Sequence, residues 1–362
     1  MLKRMTSMLL VCSLCALLSA CSDHSAAPLV DTAAQESNPG FGDFDAPAED
    51  QSDAPESEET VNPEDMLAFN LGFSEKTGEN GEPVYLQPED FHAENGRIIM
   101  NMVTDFSLPK DFSTDVMPSY VMVGINGELY DFTLNGKQSS NGLVQIDIPV
   151  GVQYSVPLEI SGLNLEAGSG NQFVFVMAPF AEDEMLHNMG PFIYDAPLTA
   201  DQKTSGSSTV SIPDQSQIKG LDIETADGKT KDEILFPHNG ATRMFDEKDL
   251  LKEMDDTSNV LTVKADTQLF LQFPNMNNEN GPSRRSGICM ALDGGTPLNA
   301  WAGSPLLKLS LTENDIFATV PLETAYQAGT EADLWMFYVD LYNSDAQAGI
   351  YSFTSGNYLA FE

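Results

Sequence analysis

Two stretches far apart in this chain read as copies of one another. "YSVPLEISGLNLEAGSGNQFVFVMAP", from Tyr154, and "FATVPLETAYQAGTEADLWMFYVDL", from Phe317, share Val-Pro-Leu-Glu, then an Ala-Gly turn, then a strongly apolar run. Upstream and in the same order, "VMVGINGELY" from Val121 faces "ICMALDGGTPL" from Ile288. "GFSEKTGENGEPVYL" from Gly72 likewise faces "LDIETADGKTKDEILF" from Leu221. A preserved order of several segments points to duplication, which restricts the chain to folds that can be built twice in tandem.

The period inside each copy says which folds those are. "LVQIDIPV" at 143–150 alternates apolar with polar, and "LLKLSLT" at 306–312 is a short apolar run, with Gly, Asn, Asp and Pro between such segments. These are strands and turns. Asn80-Gly81 and Asp227-Gly228 are hairpin signals, because tight two-residue turns need positive φ. The expectation is an all-β protein of two tandem β-sandwich domains, 66–204 and 207–362, joined near "KTSGSS" at 203–208. Strand number and spacing suggest an immunoglobulin-like architecture by analogy only, since its usual cysteine and tryptophan landmarks are missing. "FVFVM" at 173–177 and "LWMFYV" at 334–339 are apolar at every position, which places them centrally in a sheet or between domains. Only "DEKDLLKEM" at 246–254 has helical spacing, through Leu250, Leu251 and Met254 after an acidic start, and it is expected to be a short helix inserted in the second copy.

Ahead of the copies, the chain opens with Lys3 and Arg4, an apolar stretch to Leu18, and small residues at Ser19 and Ala20. Residues 1–20 therefore have the form of a secretory signal; a spanning helix needs roughly 20 continuous apolar residues and this run is shorter. Leu18, Ser19, Ala20 and Cys21 resemble the lipobox of bacterial lipoproteins. The resemblance covers only the leader. It implies that the thiol of Cys21 receives a diacylglyceryl group, that a peptidase cuts before it, and that the mature protein is held on a membrane by lipid. It also implies an extracytoplasmic place in the bacterial cell envelope. Ser22 after the cysteine resembles the outer-membrane sorting pattern if the host has two membranes.

Residues 21–65 comprise that cysteine and a segment rich in Pro, Ala, Ser, Asp and Glu without an apolar period, which is expected to be a disordered acidic tether. The chain carries −38 in all; the leader contributes +2 and the tether −13, leaving −27 on 66–362. Such a surplus repels nucleic acid and anionic polymers, so the expected partner, apart from the membrane, is a surface protein or a neutral glycan. Arg284 and Arg285 read as an isolated basic pair in a Gly, Pro and Asn-rich loop.

Chemistry leaves few marks. G-x-S-x-G, H-E-x-x-H, P-loop and dinucleotide motifs are missing, and no cofactor is implied. Cys12 and Cys15 form a C-x-x-C pair inside the leader, where they would be lost with it. Cys289, in "GICMAL", reads as a buried structural thiol. His187 has Asp183 and Glu184 near it; it reads as part of a solvated acidic loop, or as part of a metal set if another segment contributes. "NMNNENGPS" at 275–283 is rich in oxygen but lacks calcium-loop spacing, and reads as a loop between strands. Among candidate sugar-stacking rings, Trp335 and its apolar strand belong to the core, Tyr326 is open, and Trp301 in "NAWAGSP" is either a surface ring or a packed loop anchor. No catalytic or metal residues are assigned. The reading is a non-catalytic, lipid-anchored binding or adhesion-type protein. The competing one is a glycoside or metal-dependent hydrolase whose residues meet only in the fold.

Overall fold

The computed structural model describes residues 68–77, 82–108, 114–180, 190–228, 243–246, 249–250, 260–275, 282–345 and 349–362. The lipobox residues Leu18, Ser19, Ala20 and Cys21 lie outside this set, as do Asn80, Gly81, Asp183, Glu184 and His187. All described residues belong to one compact unit, Thr60–Glu362.

The first copy holds β1 (Ala68–Thr77), β2 (Pro83–Tyr85), β3 (His92–Ala93), β4 (Arg97–Ser107), β5 (Val116–Ile125), β6 (Glu128–Leu129) and β7 (Phe132–Leu134). It continues with β8 (Lys137–Gln138), β9 (Val144–Pro149), β10 (Gln153–Ser161), β11 (Asn164–Leu165), β12 (Gly168–Pro179), β13 (Phe192–Ala200) and β14 (Thr204–Ser205). The second copy holds β15 (Asp222–Thr225), β16 (Arg243–Asp246), β17 (Asp249–Leu250), β18 (Val260–Val263), β19 (Leu269–Pro274) and β20 (Arg285–Asp293). After these come β21 (Thr296–Pro297), β22 (Leu306–Leu311), β23 (Asp315–Leu322), β24 (Glu331–Asn343) and β25 (Ser352–Phe361).

Each copy is a sandwich of two sheets. In the first, one sheet runs β2-β1-β4-β10-β7-β8 and the other β3-β13-β12-β5, with β6 and β9 both on β5. In the second, one runs β15-β23-β19-β16-β17 and the other β18-β25-β24-β20, with β21 and β22 both on β20. The inner sheets match strand for strand, down to the parallel pairing of β3 with β13 and of β18 with β25. The turns match as well: Asn126 and Gly127 link β5 to β6 at φ 52° and 83°, and Gly294 and Gly295 link β20 to β21 at φ 52° and 75°. Two successive positive φ values fit the right-handed twist of a two-residue hairpin, which Asn and Gly tolerate.

Two details differ from the sequence reading. The segment 221–236 is not the counterpart of 72–86, because β15 pairs with β23 on the edge opposite to the one that β1 and β2 occupy in the first copy. Their counterpart is the β16–β17 pair, which falls on the segment expected to be helical. Asp246, Asp249 and Leu250 are strand residues there, while the rest of 246–254 lies outside the described residues. Helical spacing is a weak preference that, at Asp249 and Leu250, the antiparallel pairing with β16 overrides.

Burial follows the period-two pattern. β9 turns Val144, Ile146 and Ile148 into the first sandwich and leaves Gln145 and Asp147 exposed. The fully apolar strands bury both faces. On β12, Phe173, Phe175 and Met177 face the first core, and on β24, Leu334, Met336 and Tyr338 face the second. The alternate residues, Val174, Val176 and Ala178 with Trp335, Phe337, Val339 and Leu341, meet in a third core between the inner sheets, together with Tyr120, Met122, Leu129, Ile288, Met290, Leu292 and Leu306.

This third core has an approximate two-fold relation. The Gly127 turn packs on Ser286 and Tyr342 of the second copy, and the Gly295 turn packs on Phe180 of the first. Ser286 Oγ donates to the Gly127 carbonyl at 3.1 Å, and Tyr120 Oη donates to the Gly295 carbonyl at 3.0 Å. Each copy offers the same patch to the other, as in an isologous dimer. The connection at 203–208 is no free linker: β14 pairs with β11, Gly206 N–H donates to Leu163 and Ser208 N–H donates to Gly162.

Candidate functional site

A surface concavity lies on the first copy, where β1, the turn after β2, β3 and the start of β4 converge. A 3-10 turn at Pro88–Asp90 is closed by Asp90, whose N–H donates to the Gln87 carbonyl at 2.9 Å and whose carboxylate accepts from the Gln87 N–H at 3.0 Å. Phe91, fully buried against Phe73 and Tyr194, then fixes the chain so that His92 points outward. His92 Nδ1 lies 3.0 Å from the Asp90 carbonyl oxygen and 3.4 Å from Glu75 Oε1, and its Nε2 lies 3.8 Å from Glu94 Oε1. Arg97 is turned toward Glu159, at 2.7 Å, so its charge is already matched. What remains is an open groove of about 460 Å³ in which Glu75, Asp90, Glu94, His92 and Asn95 stand around Leu86, Ile99 and Met100. Its volume falls in the range of roughly 300–1,000 Å³ that a small ligand or a partner's side chain can enter, though its lining is more polar than that of most ligand pockets. The carboxylates favour a cationic or neutral occupant.

A second polar constellation is buried at one end of the second sandwich. Arg285 and Asp340 are fully buried, with Arg285 Nη1 3.4 Å from Asp340 Oδ2. Tyr338 Oη donates to Asp340 Oδ1 at 2.8 Å, and the Tyr351 N–H donates to Asp340 Oδ2 at 3.2 Å. The guanidinium lies 5.1 Å from the ring centre of Tyr351 and 5.7 Å from that of Phe353, and Arg285 Nε donates to Ser283 Oγ at 3.3 Å. Burial pushes the Asp340 carboxyl up to about 6, against the opposing pull of Arg285 and the hydrogen bonds. Burial and the neighbouring carboxylate hold the Tyr338 hydroxyl far above its ordinary range. At the matching register of the first copy stand Met117, Met177 and Pro179, so the second copy alone carries this charge.

Arg285 is thus not part of an exposed basic pair but an interior ion, and only Arg284 is exposed. Cys289 is fully buried, and burial raises its thiol. Trp301 is the packed anchor of its loop, fully buried with Nε1 donating to the Pro321 carbonyl at 2.8 Å. Trp335 is buried between the copies. Tyr326 stacks on Phe361 with ring centres 4.4 Å apart and donates to Asp293 at 3.2 Å; burial and that carboxylate raise its hydroxyl. Asn275 Nδ2 donates to the carbonyls of Ser283, Thr312 and Asp315, tying the start of the 275–283 loop to the sandwich; 276–281 lie outside the described residues. Among the described residues, no group of three His, Cys, Asp or Glu is placed to hold a metal ion. The groove and the buried ion pair both escaped the sequence reading. The run Glu89-Asp90, His92, Glu94 was the one local signal of the groove, and nothing near Arg285 in sequence named Asp340.

No family model matches the chain. No curated protein matches it either. Among solved structures it is similar to the CooA pilin subunit of enterotoxigenic Escherichia coli, at 13% identity and TM-score 0.23, over 37% of this chain and 99% of that one. It is also similar to the Salmonella enterica SafA pilin in complex with the SafB chaperone, at 10% identity and TM-score 0.22, over 80% and 97%. The chaperone and tip adhesion subunit CsuC–CsuE of Acinetobacter baumannii aligns at 11% identity and TM-score 0.17, over 75% and 95%.

Proposed function

We propose that this protein is a lipid-anchored, extracytoplasmic binding protein of the bacterial cell envelope, which engages a surface protein or neutral glycan without transforming it. The observation that carries the binding reading is the groove around His92, where carboxylates and an imidazole stand beside Leu86 and Ile99. The groups whose ionisation is most displaced, Cys289, Tyr326, Tyr338 and Asp340, support it from the other side: all belong to the second copy, away from the groove. The leader and Cys21 supply the anchor.

The groove is tested by pull-down from envelope extracts together with a glycan array, using the wild type and a Glu75→Ala/Glu94→Ala double variant. Both side chains are exposed, so the fold is expected to hold while partner binding falls about tenfold or more, the effect of losing on the order of 1.4 kcal/mol. Unchanged binding removes the groove from the proposal. Turnover of a peptide, ester or glycoside that a single carboxylate or histidine substitution abolishes overturns the non-catalytic reading.

The anchor has its own test. Wild-type protein should incorporate labelled fatty acid and partition with membranes, and Cys21→Ser should do neither. Label retained by that variant contradicts the lipobox assignment.

A further inference from the structure

The second copy shows what the edge of its inner sheet can accept, and the first copy has the same edge. β22 pairs with β20 on one side. Along its other side runs the extended segment leading out of the first copy: Lys308 N–H donates to the Pro213 carbonyl at 2.8 Å, Ser310 N–H donates to Gln215 Oε1 at 2.6 Å, and Asp214 bridges Lys308 in parallel. The Asp214 carboxyl is lowered chiefly by its hydrogen bonds from Ser216, with a lesser contribution from Lys308, whose ammonium pairs with Glu128 at 2.5 Å.

The counterpart of β22 is β9, and the aligned hairpin turns put Gln145 at the place of Lys308 and Asp147 at that of Ser310. Pro118 of β5 faces Asp147 of β9, and its carbonyl accepts from Phe180 on the far side, at 2.9 Å. The Pro118–Asp147 pair is therefore not hydrogen-bonded, and the N–H and C=O of Asp147 point away from β5. Alternation gives Gln145 the same direction, and its carbonyl accepts there from Lys137 Nζ at 3.4 Å. Among the described residues, no segment runs along this edge, and β9 pairs only with β5. Outward N–H groups on a short, regular edge are a template for an added strand.

We propose that the outer edge of β9 accepts an extended strand from a partner protein, carrying a basic residue opposite Asp147. Charge selects that occupant. Lys137 Nζ already stands at the Gln145 carbonyl, so the selection is made at Asp147, an exposed carboxylate that favours a basic residue and repels the chain's own segment 22–65, with 13 acidic and no basic residues. The edge is separate from the groove around His92, so either assignment can fail alone.

The probe is a labelled synthetic peptide with the sequence of residues 208–217, made as Ser216→Lys and as Ser216→Glu. In a strand that continues in line past the residue beside Gln145, position 216 comes level with Asp147. Titrated with the full chain, the lysine peptide should bind about fivefold more tightly than the glutamate peptide, the span of an exposed cross-strand charge pair. Asp147→Lys should reverse that preference. Gln145→Pro, which removes an outward N–H that β5 does not use, should abolish binding of both. The proposal is overturned if neither peptide binds, if binding survives Gln145→Pro, or if Asp147→Lys leaves the preference unchanged. It is also overturned if deleting 22–65 raises peptide affinity, since this chain's own segment would then hold the edge.

Discussion

Produced separately, residues 66–204 and 207–362 are expected to aggregate or to stay unfolded, although each contains a complete sandwich. Separation exposes the apolar outer faces of β12 and β5 on one side and of β24 and β20 on the other. Burying side chains of this size is worth about 1.5–3 kcal/mol each, so their sum rivals the whole stability of a typical domain, about 5–15 kcal/mol. Within the intact chain, Phe337→Ala should cost about 3–5 kcal/mol, as a large buried ring lost from a core that cannot fully collapse. Phe337→Asp should cost more, through a buried unpaired carboxylate. Urea midpoints measure both, with Ile99→Ala on the exposed face of β4 as a control that should barely shift. A soluble, cooperatively folding 207–362 fragment would show instead that the shared core is dispensable.

The second large effect concerns Arg285. Removing it as Arg285→Met leaves Asp340 buried beside Tyr338 without its cation, which should cost about 3–5 kcal/mol at neutral pH. Arg285→Met with Asp340→Leu should recover most of that loss, because a well-packed apolar pair often replaces a buried ion pair without penalty. The apolar residues at the matching places in the first copy illustrate the same exchange. In the wild type, Asp340 is held at about 6 in the fold against an ordinary value of 3.8, so the fold binds its proton more tightly than the unfolded chain does. Its contribution is therefore fully present below about pH 3.8 and is lost as pH rises through 6, on the order of 3 kcal/mol in all. Denaturant unfolding between pH 4.5 and 7.5 should show this decline in the wild type and a shallower one in Asp340→Asn. Equal slopes would contradict the assignment to Asp340.

How far the sequence could be read depended on the range of the interaction. Strands such as β9 were legible because alternation is a local consequence of which face is buried. The doubly apolar runs of β12 and β24 announced burial on both faces, centrally in a sheet or between domains, and the structure shows both. At Asp249 and Leu250 the helical spacing misled because it weighs less than antiparallel pairing with β16. Trp301 could be read either way, since only the turn that folds it inward and the Pro321 carbonyl decide its place. Arg285 read as a loop residue because Asp340, Tyr338 and Tyr351 reach it only through the packing of β20, β24 and β25. The groove was hidden for the same reason: Glu75 and His92 belong to different strands and meet only when the sandwich closes.

The core between the copies should make the two duplicated sandwiches one cooperative body. Both tryptophans, Trp301 and Trp335, lie in the second copy, so their fluorescence follows that copy, while far-ultraviolet circular dichroism follows the strands of both. Urea unfolding of the full chain monitored by the two signals should give coincident transitions with a single midpoint. A fluorescence transition separated from the dichroism transition, with a plateau between them, would mean that the copies fold independently and that the core between them does not unite them.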